Sequence, residues 1–243
     1  MKNYAGGGKR RVISFCIRLR DTFKGNFFIS SISFKRAFTL AEILLTLGII
    51  GVVAAMTLPS VISNYRKTVV ESRLKKFYST FSQAVKLAEV EYGEVENWPD
   101  IDLTQESATE DWFNTYLRKH MNVSSVERMV HDYTVWVKFV DGGAFGIRFA
   151  NMNSNVFDMY FYPYAKDVDK CQRDSNSQSL CTGVKYFTFQ YKKTGLQPYG
   201  GFGLQRSKLL DYCSGNPTMS YKNFCTGLIF YDGWQIKDDY PWF

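Results

Sequence analysis

The chain has 243 residues, enough for one globular domain plus a long helix. It carries 30 Lys and Arg against 23 Asp and Glu, a formal net charge of +7. Residues 1–37 hold nine of those bases and one of the acids, Asp21, which leaves 21 basic and 22 acidic residues beyond them. The excess therefore stops at residue 37, and residues 38–243 lose the electrostatic argument for binding nucleic acid.

Residues 1–37 are polar, basic and spotted with glycine, with an apolar patch at Phe27 to Phe34 that fits no pattern. The stretch Lys35 to Pro59 reads KRAFTLAEILLTLGIIGVVAAMTLP. Two bases precede a small residue, Ala37, and Phe38 opens an apolar segment. From Ile43 to Tyr65 there is no charged residue. About 20 apolar helical residues cross a bilayer core of about 30 Å, so this stretch is long enough to span one. Nine bases before the span against five after it, Arg66 to Lys76, favour a cytoplasmic start. A secretory signal would place its cleavage site after the apolar run rather than before it.

A simple anchor has no use for Glu42, because a carboxylate in hydrocarbon costs about 2.5–3.5 kcal/mol on insertion scales. A cut between Ala37 and Phe38 would give Phe38 a new ammonium group. Phe38 of one subunit and Glu42 of another could then neutralise each other where the dielectric is low.

These residues resemble the prepilin class, the type IV pilins and the pseudopilins of type II secretion. That family carries basic residues, a small residue, then F-T-L-x-E, matched here by Phe38, Thr39, Leu40, Ala41 and Glu42. A glycine and a proline recur further on, at Gly51 and Pro59. The resemblance covers about Lys35 to Tyr92. It implies cleavage before Phe38 by a membrane prepilin peptidase and N-methylation of Phe38. It implies assembly through Glu42, Gly51 and Pro59 with other pilin or pseudopilin subunits, on an inner-membrane platform. The residue before the cut is usually Gly and is Ala37 here, a departure that predicts slower processing.

Beyond Pro59 the helix is predicted to continue to Tyr92, with Leu74, Phe77, Phe81, Ala84, Val85 and Ala88 on one face. Pro59 should kink or loosen it, Gly48 and Gly51 allow close helix packing, and Gly93 is a natural stop. Residues 94–104 read as a loop. Ser107 with Glu110 resembles a capping box, so a short helix is predicted from Ala108 to His120. Strands are predicted over Tyr133–Val140, Ala144–Ala150, Val156–Tyr162 and Val184–Tyr191, with Asp141-Gly142-Gly143 as a hairpin turn. Residues 195–203 read as a turn, and the C-terminal part as loop-rich. Helix first and antiparallel strands later predict an α+β fold, the sheet packed on the helix. The organisation expected is a cleaved leader (1–37), a long helix (38–92) and a head (93–243).

Cys171, Cys181, Cys213 and Cys225 all lie in the last third, and a cut after Ala37 would remove the fifth, Cys16. An even set beyond a membrane reads as two disulfides in an oxidising compartment. Short loops cost least to close, which favours Cys171–Cys181 and Cys213–Cys225. Zinc is disfavoured, because the spacing is not C-x-x-C and only His120 and His131 are available. Asp167, Asp169 and Asp174 could surround calcium, but the EF-hand spacing with its closing Glu is missing, so a solvated loop and no cofactor are expected. Of the 41 aromatic residues, 25 lie between Tyr133 and Phe243. Core of the sheet and loops is the plain reading, and a carbohydrate- or surface-adhesive face the sharper one.

No P-loop, dinucleotide glycine pattern, G-x-S-x-G or H-E-x-x-H occurs, and no enzyme activity is expected. The sequence thus predicts a single-pass membrane subunit with an extracytoplasmic head, at the cell surface or in the periplasm. It assembles into a type IV pilus or a secretion pseudopilus. The alternative is a membrane-anchored ligand-binding or adhesive domain that does not polymerise.

Overall fold

The computed structural model describes residues 39–128, 134–149, 156–172, 175–215 and 222–243. The chain divides into two compact units, Met1–Ile49 and Ile50–Phe243. One helix, α1 (Leu40–Tyr92), runs unbroken through Pro59. Within the second unit its stripe Val70, Leu74, Phe77, Phe81, Ala84, Val85 and Ala88 is buried, at the three- and four-residue steps of one helix face. Gly93 ends it in the left-handed region at φ +82°, where a side chain would be strained.

That stripe packs on a six-stranded antiparallel meander. The strands are β1 (Val123–Arg128), β2 (Val135–Phe139), β3 (Ala144–Phe149), β4 (Phe157–Tyr162), β5 (Phe187–Lys192) and β6 (Gly195–Pro198), each paired with its sequence neighbour. Period-two alternation sends Val135, Val137, Phe145, Ile147, Met159 and Phe161 toward α1. Phe77 lies at the centre, stacked on Phe161 at 4.3 Å and near Phe145 and Phe189 at 5.5 and 5.3 Å. Helix α2 (Ala108–Tyr116) adds Trp112 and Phe113 to the same layer. The predicted turn forms: Gly142 takes φ +85° and Gly143 N–H donates to Asp141 Oδ1 at 3.1 Å. Lys76 Nζ then holds Asp141 Oδ2 at 2.6 Å, and Arg73 donates to the carbonyls of Pro163 and Asp141.

Several expectations need correction. Ser107 is the N-cap of α2 but makes no capping bond, because its backbone is already helical and its hydroxyl misses the first turn. Helix α2 stops at Tyr116 and a 3-10 turn, Arg118–His120, finishes the segment. Strand β1 was not legible, and β6 occupies half of the stretch read as a turn. Gly183 to Lys185 turn rather than extend, with Val184 and Lys185 N–H both donating to Cys181 O, so β5 begins only at Phe187. The strand ends at Tyr133 and Ala150 lie outside the described residues.

The C-terminal region is helical rather than loop-rich. Helices α3 (Val168–Cys171) and α4 (Ser175–Cys181) are joined by Cys171–Cys181, and α5 (Arg206–Gly215) and α6 (Phe224–Tyr231) by Cys213–Cys225. These are the two short-loop pairings the sequence favours. The whole is an α+β fold of pilin-like layout, with a long apolar N-terminal helix, an antiparallel sheet and a disulfide-pinned C-terminal region.

Arg206 at the start of α5 fastens this region. Its guanidinium donates to both carboxylate oxygens of Asp232, just after α6, and to both of Asp239, at 2.8–3.0 Å. Burial works to raise Asp232, whose side chain is 3 % exposed, but Arg206 and Lys237 hold it below the usual carboxylate range. A carboxylate lowered on folding stabilises fully above its unfolded value of about 4, and that contribution fades as pH falls through the folded value. Arg206→Gln should therefore cost about 1–3 kcal/mol at neutral pH, the scale of a lost charged partner at a buried group. The expected drop in thermal midpoint is about 2–4 °C per kcal/mol, shrinking when both proteins are melted near pH 3. An equal drop at both pH values would remove the ionic account.

Candidate functional site

Of the residues singled out for assembly, Glu42 lies in the first turn of α1, with Gly51 and Pro59 further along the same helix. Thr39 is the residue ahead of the helix. Its backbone N–H and its hydroxyl both donate to Glu42 Oε2, at 2.9 and 3.0 Å, and Glu42 N–H donates back to Thr39 Oγ1 at 3.2 Å. This is a reciprocal capping box, which satisfies end donors that would otherwise be orphaned in an apolar setting. Sequence reasoning missed this role, although the signal Thr39-Leu40-Ala41-Glu42 is a T-x-x-E directly ahead of an apolar run. All three bonds use Oε2 or the Glu42 amide, so among the described residues Oε1 is left for a further cation.

The next residues expose their apolar surface, among them Leu44, Ile50, Val53 and Val61. The hydroxyls set among them are satisfied internally. Thr46 donates to Ile43 O, Thr57 to Val53 O and Ser60 to Thr57 O. Those hydroxyls need no water, the condition hydrocarbon imposes on polar groups. Among the described residues, α1 is the one helix long and apolar enough to cross a membrane. Pro59 offers no N–H to the Ala55 carbonyl, yet the helix continues. A Cβ added at Gly48 or Gly51 would meet nothing within 4 Å, so within one chain both glycines leave open surface.

Ala37 and Phe38, the expected cleavage and methylation site, lie outside the described residues, as do Cys16, His131, Asp174 and the patch Phe27 to Phe34. Asp167 pairs with Lys185 at 3.8 Å. No group of three or more His, Cys, Asp or Glu able to hold a metal occurs among the described residues. His120 Nε2 lies 4.0 Å from Glu91 at the end of the 3-10 turn.

Residues 60–242 match the model of a family described as "Family of unknown function (DUF6613)", and the chain belongs to that family. The match begins at Ser60, just beyond the Lys35 to Pro59 stretch. No curated protein and no solved structure matches the chain.

Proposed function

We propose that this member of an uncharacterised family is a prepilin-like structural subunit, cut before Phe38 by a prepilin peptidase and N-methylated there. The α1 helix first sits in lipid as a single span, its leader cytoplasmic and its head extracytoplasmic. An inner-membrane platform then moves it into the core of a helical filament, a type IV pilus or a type II secretion pseudopilus, built with other pilin or pseudopilin subunits.

The observation that carries this reading is the division of one helix. Its apolar surface is exposed through Ile62, while from Val70 to Ala88 a single stripe is buried under the sheet. An uncharged glutamine would cap the helix as well, so it is the charge of Glu42 that a helix used only for anchoring does not need. Lipid and filament core are both apolar, so the hydrophobic term changes little on transfer, and register falls to polar and shape terms. Glu42 Oε1 would take the Phe38 ammonium of a neighbouring subunit. The surface left open at Gly51, about two turns before Pro59, would take that neighbour's helix.

Intact mass and N-terminal analysis of membrane-extracted protein, without reductant, tests the reading. The expected chain begins at N-methylated Phe38 and is lighter than its reduced form by four hydrogens, two for each disulfide. A membrane-held chain that keeps residues 1–37 would overturn the processing step and leave the anchored, non-polymerising domain.

A further inference from the structure

We propose that the sheet face opposite α1 carries a binding cleft for a saccharide. On this face the alternate residues of the strands form two rows. In the first, Trp136 pairs with Gly146, Gly146 with Tyr160 and Tyr160 with Thr188. In the second, Arg148 pairs with Asp158 and Asp158 with Gln190. Gly146 makes room for the indole: a Cβ there would come within 2.9 Å of the Trp136 ring. The ring therefore lies flat on the sheet instead of standing away from it.

A cavity of about 320 Å3 opens above these rows, within the size range of small-molecule sites. One wall is Gln172, Gln178 and Tyr186, held by the Cys171–Cys181 loop. The other side is Tyr199 and Asn223. The first wall is preorganised. Gln178 Nε2 donates to Gln172 Oε1 at 3.0 Å, and Gln172 Nε2 donates to Tyr162 Oη at 2.6 Å. Little side-chain freedom is then left to lose on binding.

The chemistry of the lining selects the ligand class. Of the aromatic rings that line it, Tyr160 and Tyr199 offer apolar faces with polar edges, while Trp136 in the floor and Tyr186 in the wall are nearly covered. Carboxamides, which both donate and accept, alternate with hydroxyls. The one acid and the one base, Asp158 and Arg148, are cross-strand partners, so the lining adds no net charge and does not suit a phosphate or a polycation. A pyranose has that same division, with C–H faces for the rings and hydroxyl edges for the amides.

Two groups ask for a hydroxyl in particular. Trp136 lines the cavity at 4 % exposure, and its buried Nε1–H meets no acceptor among the described residues, a costly omission that a ligand oxygen reaching it would repair. Asp158 takes Gln190 Nε2 on Oδ1 at 2.9 Å, which among the described residues leaves Oδ2 for a donor, and burial pushes its carboxyl upward against Gln190, Arg148 and Lys192.

The test uses the full chain in lipid nanodiscs, because glucoside or maltoside detergents would compete. Glucose, galactose, mannose and N-acetylglucosamine are screened by saturation-transfer NMR, and the strongest is titrated calorimetrically. At least one sugar should bind. Asp158→Asn should weaken it at least about tenfold, and Trp136→Phe, which keeps a ring and removes the N–H, about threefold or more. Phe202→Ala, an exposed aromatic outside the cleft, should leave it unchanged. Thermal midpoints like that of the unmodified chain certify the folds. The proposal falls if no sugar binds, if Asp158→Asn binds like the unmodified chain, or if free amino acids bind and sugars do not. The cleft is built within one chain, so the outcome does not depend on whether that chain polymerises.

Discussion

Glu42→Gln should still insert into the membrane, and more readily than the unmodified chain, yet its filament yield should fall at least about tenfold, the effect of losing about 1.4 kcal/mol per contact. The glutamine carboxamide oxygen still accepts from Thr39 N–H and hydroxyl, so the capping box survives. Only the charge is lost, and with it the insertion cost of a carboxylate, about 2.5–3.5 kcal/mol. Glu42→Ala removes both roles, adding about 1 kcal/mol of lost capping to the lost charge. The two variants therefore separate functions that one side chain combines. Sedimented filaments and membrane-extracted subunit, quantified side by side, read the difference. If Glu42→Gln filaments form normally while Glu42→Ala filaments do not, Glu42 is a helix cap and the inter-subunit ion pair is wrong.

Phe77→Ala should be the most damaging single truncation in the head. Phe77 is 2 % exposed and packs among aromatic rings, with Phe81, Phe139 and Phe145 beside it, Phe161 stacked on it and Phe189 edge-on to it. Truncating a buried Phe costs about 3–5 kcal/mol, transfer and cavity together. That is a large fraction of the 5–15 kcal/mol that holds a typical domain, and corresponds to about 6–20 °C in thermal midpoint. Near-UV circular dichroism on heating measures it, with exposed Phe202→Ala as the comparison, expected within about 0.5 kcal/mol of the unmodified chain. Equal melting of the two variants would mean that the aromatic cluster does not fasten helix to sheet.

The parts of the fold that the sequence made legible are those where one face packs into the core between helix and sheet and the other faces different surroundings. The α1 stripe and strands β2, β3 and β4 announce themselves because burial imposes a period. Strand β1, VSSVER, is an edge strand with little to bury, so it shows no alternation. Strand β6 is the other edge, where Pro198 is tolerated although it reads as a turn residue. Helix α6, FCTGLIFY, is apolar all along, and an unbroken apolar run does not reveal its period. Capping shows the limit most plainly. Thr39/Glu42 and Ser107/Glu110 share one pattern, but only the first has the backbone geometry that lets the side chains reach. Within the candidate site, the FTLAE register and the glycine were visible at once, whereas the capping role of Glu42 needed coordinates.

The order of strands across the sheet is also their order along the chain, and this governs how the head can fold. Four of the five ladders close short loops, and only β4 to β5 spans a longer connection, the α3–α4 segment, so pairing can advance largely hairpin by hairpin. Both disulfides likewise join cysteines 10 and 12 residues apart, within reach of an early intermediate. The long-range event is the docking of α1 onto elements far downstream: Phe77 and its neighbours on β4 and β5, more than 80 residues on, and Glu71 on the Ile236 N–H, 165 residues on. That step sets the topological cost, and mutations along the stripe should slow refolding, whereas those in the β2–β3 turn should act mainly through the first hairpin.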